Sequence, residues 1–137
     1  MIRVLSSVLL LLVLVACAPA TTSRDPSVSV SAGVLVLREP SGRVLVNAAL
    51  GVPAFPGSRI IAQKYTNRAS STEFEAQGEL QNVYGFFHGA LLDKRWTRAS
   101  FTLRGETRIE ARYVGPGEDL SLTLERITKT RFRLSLE

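Results

Sequence analysis

From Arg98 to Glu137 the chain alternates apolar and polar residues with a period of two, in four runs separated by turn signals. Ala99, Phe101 and Leu103 oppose Arg98, Ser100, Thr102 and Arg104; Thr107, Ile109, Ala111 and Tyr113 oppose Glu106, Arg108, Glu110 and Arg112. Leu120, Leu122 and Leu124 oppose Ser121, Thr123 and Glu125; Phe132, Leu134 and Leu136 oppose Arg131, Arg133 and Ser135. Successive strand side chains point to opposite faces. Each run therefore makes a strand with one dry and one wet face, as in an antiparallel sheet covered on one side. Gly105 and Gly115-Pro116-Gly117 supply the turns.

The cover is written upstream. Leu80, Val83, Tyr84, Phe87 and Leu91 fall on one face at helical spacing, which predicts a helix over Gly78 to Asp93. Glu79 suits the positive end of its dipole, and Lys94 and Arg95 the negative end. Phe86 and Leu92 lie off the apolar face. Before the helix, Arg59 to Asn67 and Ser70 to Ala76 read as strands with a turn near Asn67-Arg68. Gly51 to Ser58, with Pro53, Pro56 and Gly57, reads as a loop, and the core is expected to begin at Phe55. Further upstream, Ser27 to Ser31 alternates, Val34 to Leu37 is apolar, Pro40-Ser41-Gly42 turns, and Val44 to Val46 returns. The expected fold is α+β: an antiparallel sheet with one main helix at about 78–93 packed on one face, preceded by an N-terminal β-hairpin.

Cys17 is the only cysteine, and it closes an apolar run as Leu14-Val15-Ala16-Cys17 after the charged start Met1-Ile2-Arg3. A charged start, an apolar stretch and small residues are the parts of a secretory signal. The stretch is short for a spanning helix, which needs about 20 residues. The Leu-Val-Ala-Cys order resembles the lipobox of bacterial lipoproteins. That resemblance implies a signal peptide over 1–16, removed before Cys17, with a diacylglyceryl group on the Cys17 thiol and an acyl chain such as palmitate on the new amine. Residues 17–27 would then be a tether and 28–137 a single domain. Each buried CH₂ contributes about 0.8 kcal/mol, so several chains on one residue hold a protein at a membrane where one does not. Ala18, rather than Asp, after the cysteine implies the outer membrane, facing the periplasm, in a two-membrane organism. Two other outcomes stay open: ordinary signal cleavage near Ala18 or Ala20, and an uncleaved anchor. Downstream of Cys17 there is no cysteine, which excludes disulfides and thiol chemistry in the domain.

Lys+Arg outnumber Asp+Glu by 17 to 12, for a net charge of +5. Such an excess points to anionic partners. In the cell envelope those are acidic headgroups, anionic polymers or another envelope protein, and nucleic acid is not expected. The predicted wet face gathers Arg98, Arg104, Arg108, Arg112, Arg131 and Arg133, with Glu106 and Glu110 among them. It reads either as a ladder of cross-strand ion pairs or as a surface for carboxylate or phosphate groups, which arginine grips bidentately.

No catalytic motif and no metal-ligand spacing is present, so neither an enzyme nor a cofactor is expected. Trp96, the only tryptophan, reads as packing under the helix end rather than as a ligand anchor. His88, the only histidine, lies on the flank of the apolar face and reads as a solvated or edge residue. Gly85 and Gly89 form G-x-x-x-G on a helix too polar for a membrane, which asks for close packing there or leaves a weak helix. Glu73 and Glu75 share one strand face. The leading expectation is a non-enzymatic envelope lipoprotein that binds an envelope protein or anionic polymer. The alternative is a lipid-anchored carrier of a small apolar ligand in a helix–sheet cavity around Phe87, Phe101 and Phe132. An enzyme would need Glu73, Glu75 and His88 to converge.

Pro56-Gly57-Ser58, Thr72-Glu73-Phe74, Val83-Tyr84-Gly85-Phe86-Phe87, Leu91-Leu92 and Trp96 occur in that order. Over about residues 53–137 the chain resembles a group of small bacterial lipoproteins and secreted domains with a Pro-Gly-Ser lead-in, a strand, an aromatic helix and Gly-Trp after it. The resemblance implies a helix-on-sheet fold and no common activity. Arg95 stands where that group has glycine, so the helix exit is expected to differ. The architecture is also similar to the helix-grip domains of barrel-assembly lipoproteins.

Overall fold

The computed structural model describes residues 27–31, 34–38, 41–66 and 69–137, and the side chains from residue 38 onward. Cys17, the signal segment and most of the tether lie outside the described residues. The chain forms β1 (Ser27–Ser31), β2 (Val34–Arg38), β3 (Val44–Asn47), β4 (Val52–Pro53), β5 (Arg59–Thr66), β6 (Ala69–Glu75), α1 (Leu80–Asp93), β7 (Thr97–Arg104), β8 (Arg108–Gly115), β9 (Glu118–Arg126) and β10 (Arg131–Leu136). One sheet runs β1-β2-β3-β4 and the other β5-β6-β10-β9-β8-β7, antiparallel throughout. The fold is α+β with the sheet dominant. The expected hairpin is the first part of a meander: β3 returns along β2, and Val52 and Pro53 add a fourth strand.

The helix covers the sheet with the face its periodicity marks. Leu80, Val83, Tyr84, Phe87 and Leu91 are the buried residues of α1. They meet Ile109, Leu122, Leu124, Phe132 and Leu134 from the sheet. Phe74 holds the centre, edge-on to Phe87 at 5.9 Å and stacked on Phe132 at 5.7 Å. Burying one such side chain contributes about 1.5–3 kcal/mol. The core begins earlier than Phe55, because β3 and β4 bury Val46 and Val52 in the same cluster. Val52 and Pro53 fall in the segment that reads as a loop from its prolines, yet they pair with Asn47 and Leu45 of β3, and β3 is in turn bonded by side chains of the larger sheet. Gln63 Nε2 donates to the Leu45 carbonyl at 3.0 Å, Tyr65 Oη to the Val46 carbonyl at 3.1 Å, and Asn47 Nδ2 to Ser70 Oγ at 2.9 Å. The small sheet and the helix thus share the dry face of the large one.

Both helix ends follow from local chemistry. Glu79 is the N-cap residue, and its carboxylate turns to Arg126 at 3.3 Å instead of to a helix N–H. Arg126 also donates to the Gly78 carbonyl at 2.9 Å, tying the start of the helix to β9. At the other end the Trp96 N–H donates to the Leu91 carbonyl at 3.0 Å and the Arg95 N–H to the Leu92 carbonyl at 2.9 Å. This is the Schellman closure, which places one residue in the left-handed region. Arg95 takes that position with φ +68°. The exit is therefore the one a glycine would make, and arginine bears its strain.

β7 departs from its pattern. Phe101 and Leu103 do face the helix side, opposite Ala111 and Ile109, but they remain 42% and 43% exposed. β7 is the last strand of the sheet, and the helix covers it only in part, with Tyr84 meeting Phe101 at 5.2 Å between ring centroids.

Candidate binding surfaces

Two surfaces of the large sheet carry its charged side chains. The first is the face away from the helix. Arg104, Arg108, Arg112, Arg131 and Arg133 stand there, as the alternation implies. Each has a carboxylate. Arg104 and Arg108 flank Glu110 at 3.2 and 3.0 Å, Arg131 lies 3.7 Å from Glu75, and Arg112 pairs with Asp119. Arg133 donates twice to Glu73, at 2.7 and 3.0 Å, and lies 3.5 Å from Glu125. Arg59 bonds Glu75 at 2.5 Å, and this hydrogen bond leads the effects that hold the Glu75 carboxyl below the usual range. The arrangement is a cross-strand ladder. Glu106, expected among these arginines, sits at the β7–β8 turn and lines a groove beside the helix N-terminus.

Arg98 does not belong to this face. The pairing of β7 with β8 slips between Arg98 and Ser100, so that Arg98 lies opposite Tyr113 and Ser100 opposite Arg112. One extra residue in a strand reverses the facing of everything before it. Arg98 therefore turns toward the helix. Its Nη1 donates to Tyr84 Oη at 3.3 Å, and its guanidinium lies over the Phe101 ring, 5.2 Å from the centroid.

Behind Arg98 lies a second polar group that the sequence reading missed. Tyr84 Oη and Tyr113 Oη are 2.9 Å apart, and Tyr113 Oη is 2.9 Å from His88 Nδ1. Arg98 can only donate, so Tyr84 accepts from it. An arrangement in which the Tyr84 hydroxyl donates to Tyr113 and the Tyr113 hydroxyl donates to His88 Nδ1 satisfies all three groups with a neutral imidazole. Burial, and after it the charge of Arg98, lowers the His88 pKa in the same sense. Burial also raises the Tyr113 pKa, with the Tyr84 hydrogen bond second. His88 is thus an edge residue of the apolar face, half-buried and bonded to Tyr113. The available signal was the spacing of Tyr84 and His88, four apart on a helix and therefore neighbours; their rings stack at 5.7 Å.

The other sequence candidates separate. Glu73 and Glu75 lie on the open face with arginine partners, whereas His88 is on the helix across the sheet. These three do not converge. Trp96 packs under the helix end as expected, and its ring fills the space over Gly115. A Cβ at Gly85 or Gly89 would meet nothing within 4 Å, so neither the β1–β3 region nor any other described residue makes the close approach their spacing invites. Among the described residues no helix is long and apolar enough to cross a membrane, and no three His, Cys, Asp or Glu side chains gather as a metal site.

No protein-family model and no curated protein matches this chain.

Proposed function

We propose that this chain is a non-enzymatic, lipid-anchored domain of the cell envelope that binds an envelope protein through the open face of its large sheet. The observation that carries the reading is the uncovered ladder of Arg104, Arg108, Arg112, Arg131 and Arg133 with Glu73, Glu75, Glu110 and Glu125. A uniform polyanion would have to approach these glutamates, and like charges at an interface are costly. A protein surface bearing both signs can exchange pairs with the ladder. This favours a protein over an anionic polymer. Acyl chains on Cys17 would keep the domain at the membrane, outer and periplasm-facing where two membranes exist.

The carrier reading draws less support. Phe87 and Phe132 are fully buried against Phe74, while Phe101 stands outside the core, so the three rings line no common chamber.

The test replaces Arg108, Arg112 and Arg133 together by glutamine. Crosslinking in intact cells, followed by purification, should recover the envelope partner with the wild type and not with the variant, whose circular dichroism and unfolding midpoint show a folded domain. Undiminished recovery with the triple variant sinks the reading.

A further inference from the structure

The two edges of the large sheet are treated differently. On one side, β5 lies under the small sheet, with Gln63 and Tyr65 bonded to β3 carbonyls. On the other, β7 pairs with β8 and with no other described residue. All eight residues of β7 are exposed. A long free edge is a template for another strand, and proteins commonly blunt it with charge or cover.

What flanks this edge is selective. Phe101 and Leu103 project to the helix side, two residues apart, and Leu103 lines a groove of about 460 Å³ with Leu80, Gln81, Asn82 and Glu106. Along the helix, Gln81 is followed at helical spacing by Gly85, His88 and Leu92. Gly85 has open space where a Cβ would stand, and Leu92 is 47% exposed. Beyond the groove, Arg98 has no carboxylate within ion-pair distance among the described residues; the groove itself is lined by Glu79 and Glu106 with Arg126, which lies 3.3 Å from Glu79. β7 itself carries two arginines and no acidic residue. Two copies joined edge to edge would bring four arginines together, which disfavours self-pairing.

We propose that the free edge of β7 takes up an extended segment of another protein as an added strand, with apolar side chains over Phe101 and Leu103 and a carboxylate on Arg98. Strand addition draws affinity from main-chain hydrogen bonds and selectivity from alternate side chains. Tyr84 holds the guanidinium in place, and Gly85 leaves room beside the helix. This site is separate from the open face and does not depend on it.

The experiment uses the full chain purified from membranes in detergent. The probe is a fluorescent extended peptide of alternating threonine and valine with glutamates at one end; the control carries lysines instead. The acidic peptide should bind saturably below millimolar concentration, slow hydrogen exchange at Thr97–Arg104, and be weakened about fivefold or more by Arg98→Gln, as expected for a lost charge pair at an interface. The triple Arg108, Arg112 and Arg133 variant should bind it as the wild type does. Absence of saturation, equal binding of the lysine peptide, protection elsewhere than β7, loss of binding in the triple variant, or an Arg98→Gln variant that binds unchanged each overturns the proposal. So does a protein that dimerises through β7 in the absence of peptide.

Discussion

Trp96 sits where a side chain on Gly115 would have to be: a Cβ there would come within 2.6 Å of Cε3 and Cζ3 of the indole. The glycine is a seat for the ring that ends the Schellman turn and opens β7. Gly115→Ala should therefore cost about 1–3 kcal/mol, the range for forced overpacking. Urea unfolding followed by Trp96 fluorescence measures it, and a changed native emission should accompany the loss. Stability equal to the wild type would mean that the indole has room to move.

Arg95 is the only non-glycine with positive φ among the described residues. A left-handed residue with a Cβ costs about 1–2 kcal/mol. Arg95→Gly should raise stability by about 1 kcal/mol, a shift of a few degrees in Tm for a domain of this size, with the same Leu91 and Leu92 closure. A lower Tm would show that the arginine side chain contributes something the turn alone does not.

His88 should make the fold sensitive to mild acid. Burial holds its folded pKa below the ordinary value of 6.5. Between the two, the unfolded chain binds more protons than the folded one, so stability is full above the unfolded value and declines as pH falls toward the folded value. The urea midpoint should drop as the pH falls below about 6.5, and His88→Asn should flatten that drop. Parallel profiles for the two proteins would place the neutral imidazole elsewhere than in the Tyr84–Tyr113 chain.

Gly85 and Gly89 weaken α1, and among the described residues nothing packs closely enough on them to offset it. Each Gly→Ala change should stabilise the domain by about 0.4–1 kcal/mol, because the helix interior accepts alanine and the unfolded chain loses freedom. Chemical denaturation reads this directly. Destabilisation by either alanine would reveal a close neighbour. If the glycines instead serve the β7 groove, the Gly85→Ala protein should gain stability and lose affinity for the acidic peptide.

The helix and the large sheet are legible because their burial is one-sided: five residues on one helix face from Leu80 to Leu91, and every second residue along the strands between Ile109 and Leu136. What escapes that reading is a change of phase. The letters from Arg98 to Arg104 alternate without interruption, yet the slip at Ala99 sets Arg98 on the helix side. Nothing in alternation encodes such a slip. The open face is legible for Arg104, Arg108, Arg112, Arg131 and Arg133; the partners of Arg131 and Arg133, Glu75 and Glu73, come from a strand distant in sequence and adjacent in space. The hydroxyls of Tyr84 and Tyr113 were counted only as dry-face aromatics, although a buried phenol requires a partner. The prolines at Pro53 and Pro56 hid a short strand, because proline signals a loop more often than an edge.

The proposed function requires that acyl groups on Cys17 hold the domain at a membrane. The direct measurement is the mass of the N-terminal peptide of the protein extracted from cells. The account predicts a chain beginning at Cys17, heavier than its amino-acid sequence by the diacylglyceryl and acyl groups. A peptide beginning at Met1, Ala18 or Thr21, or an unmodified Cys17, would contradict it.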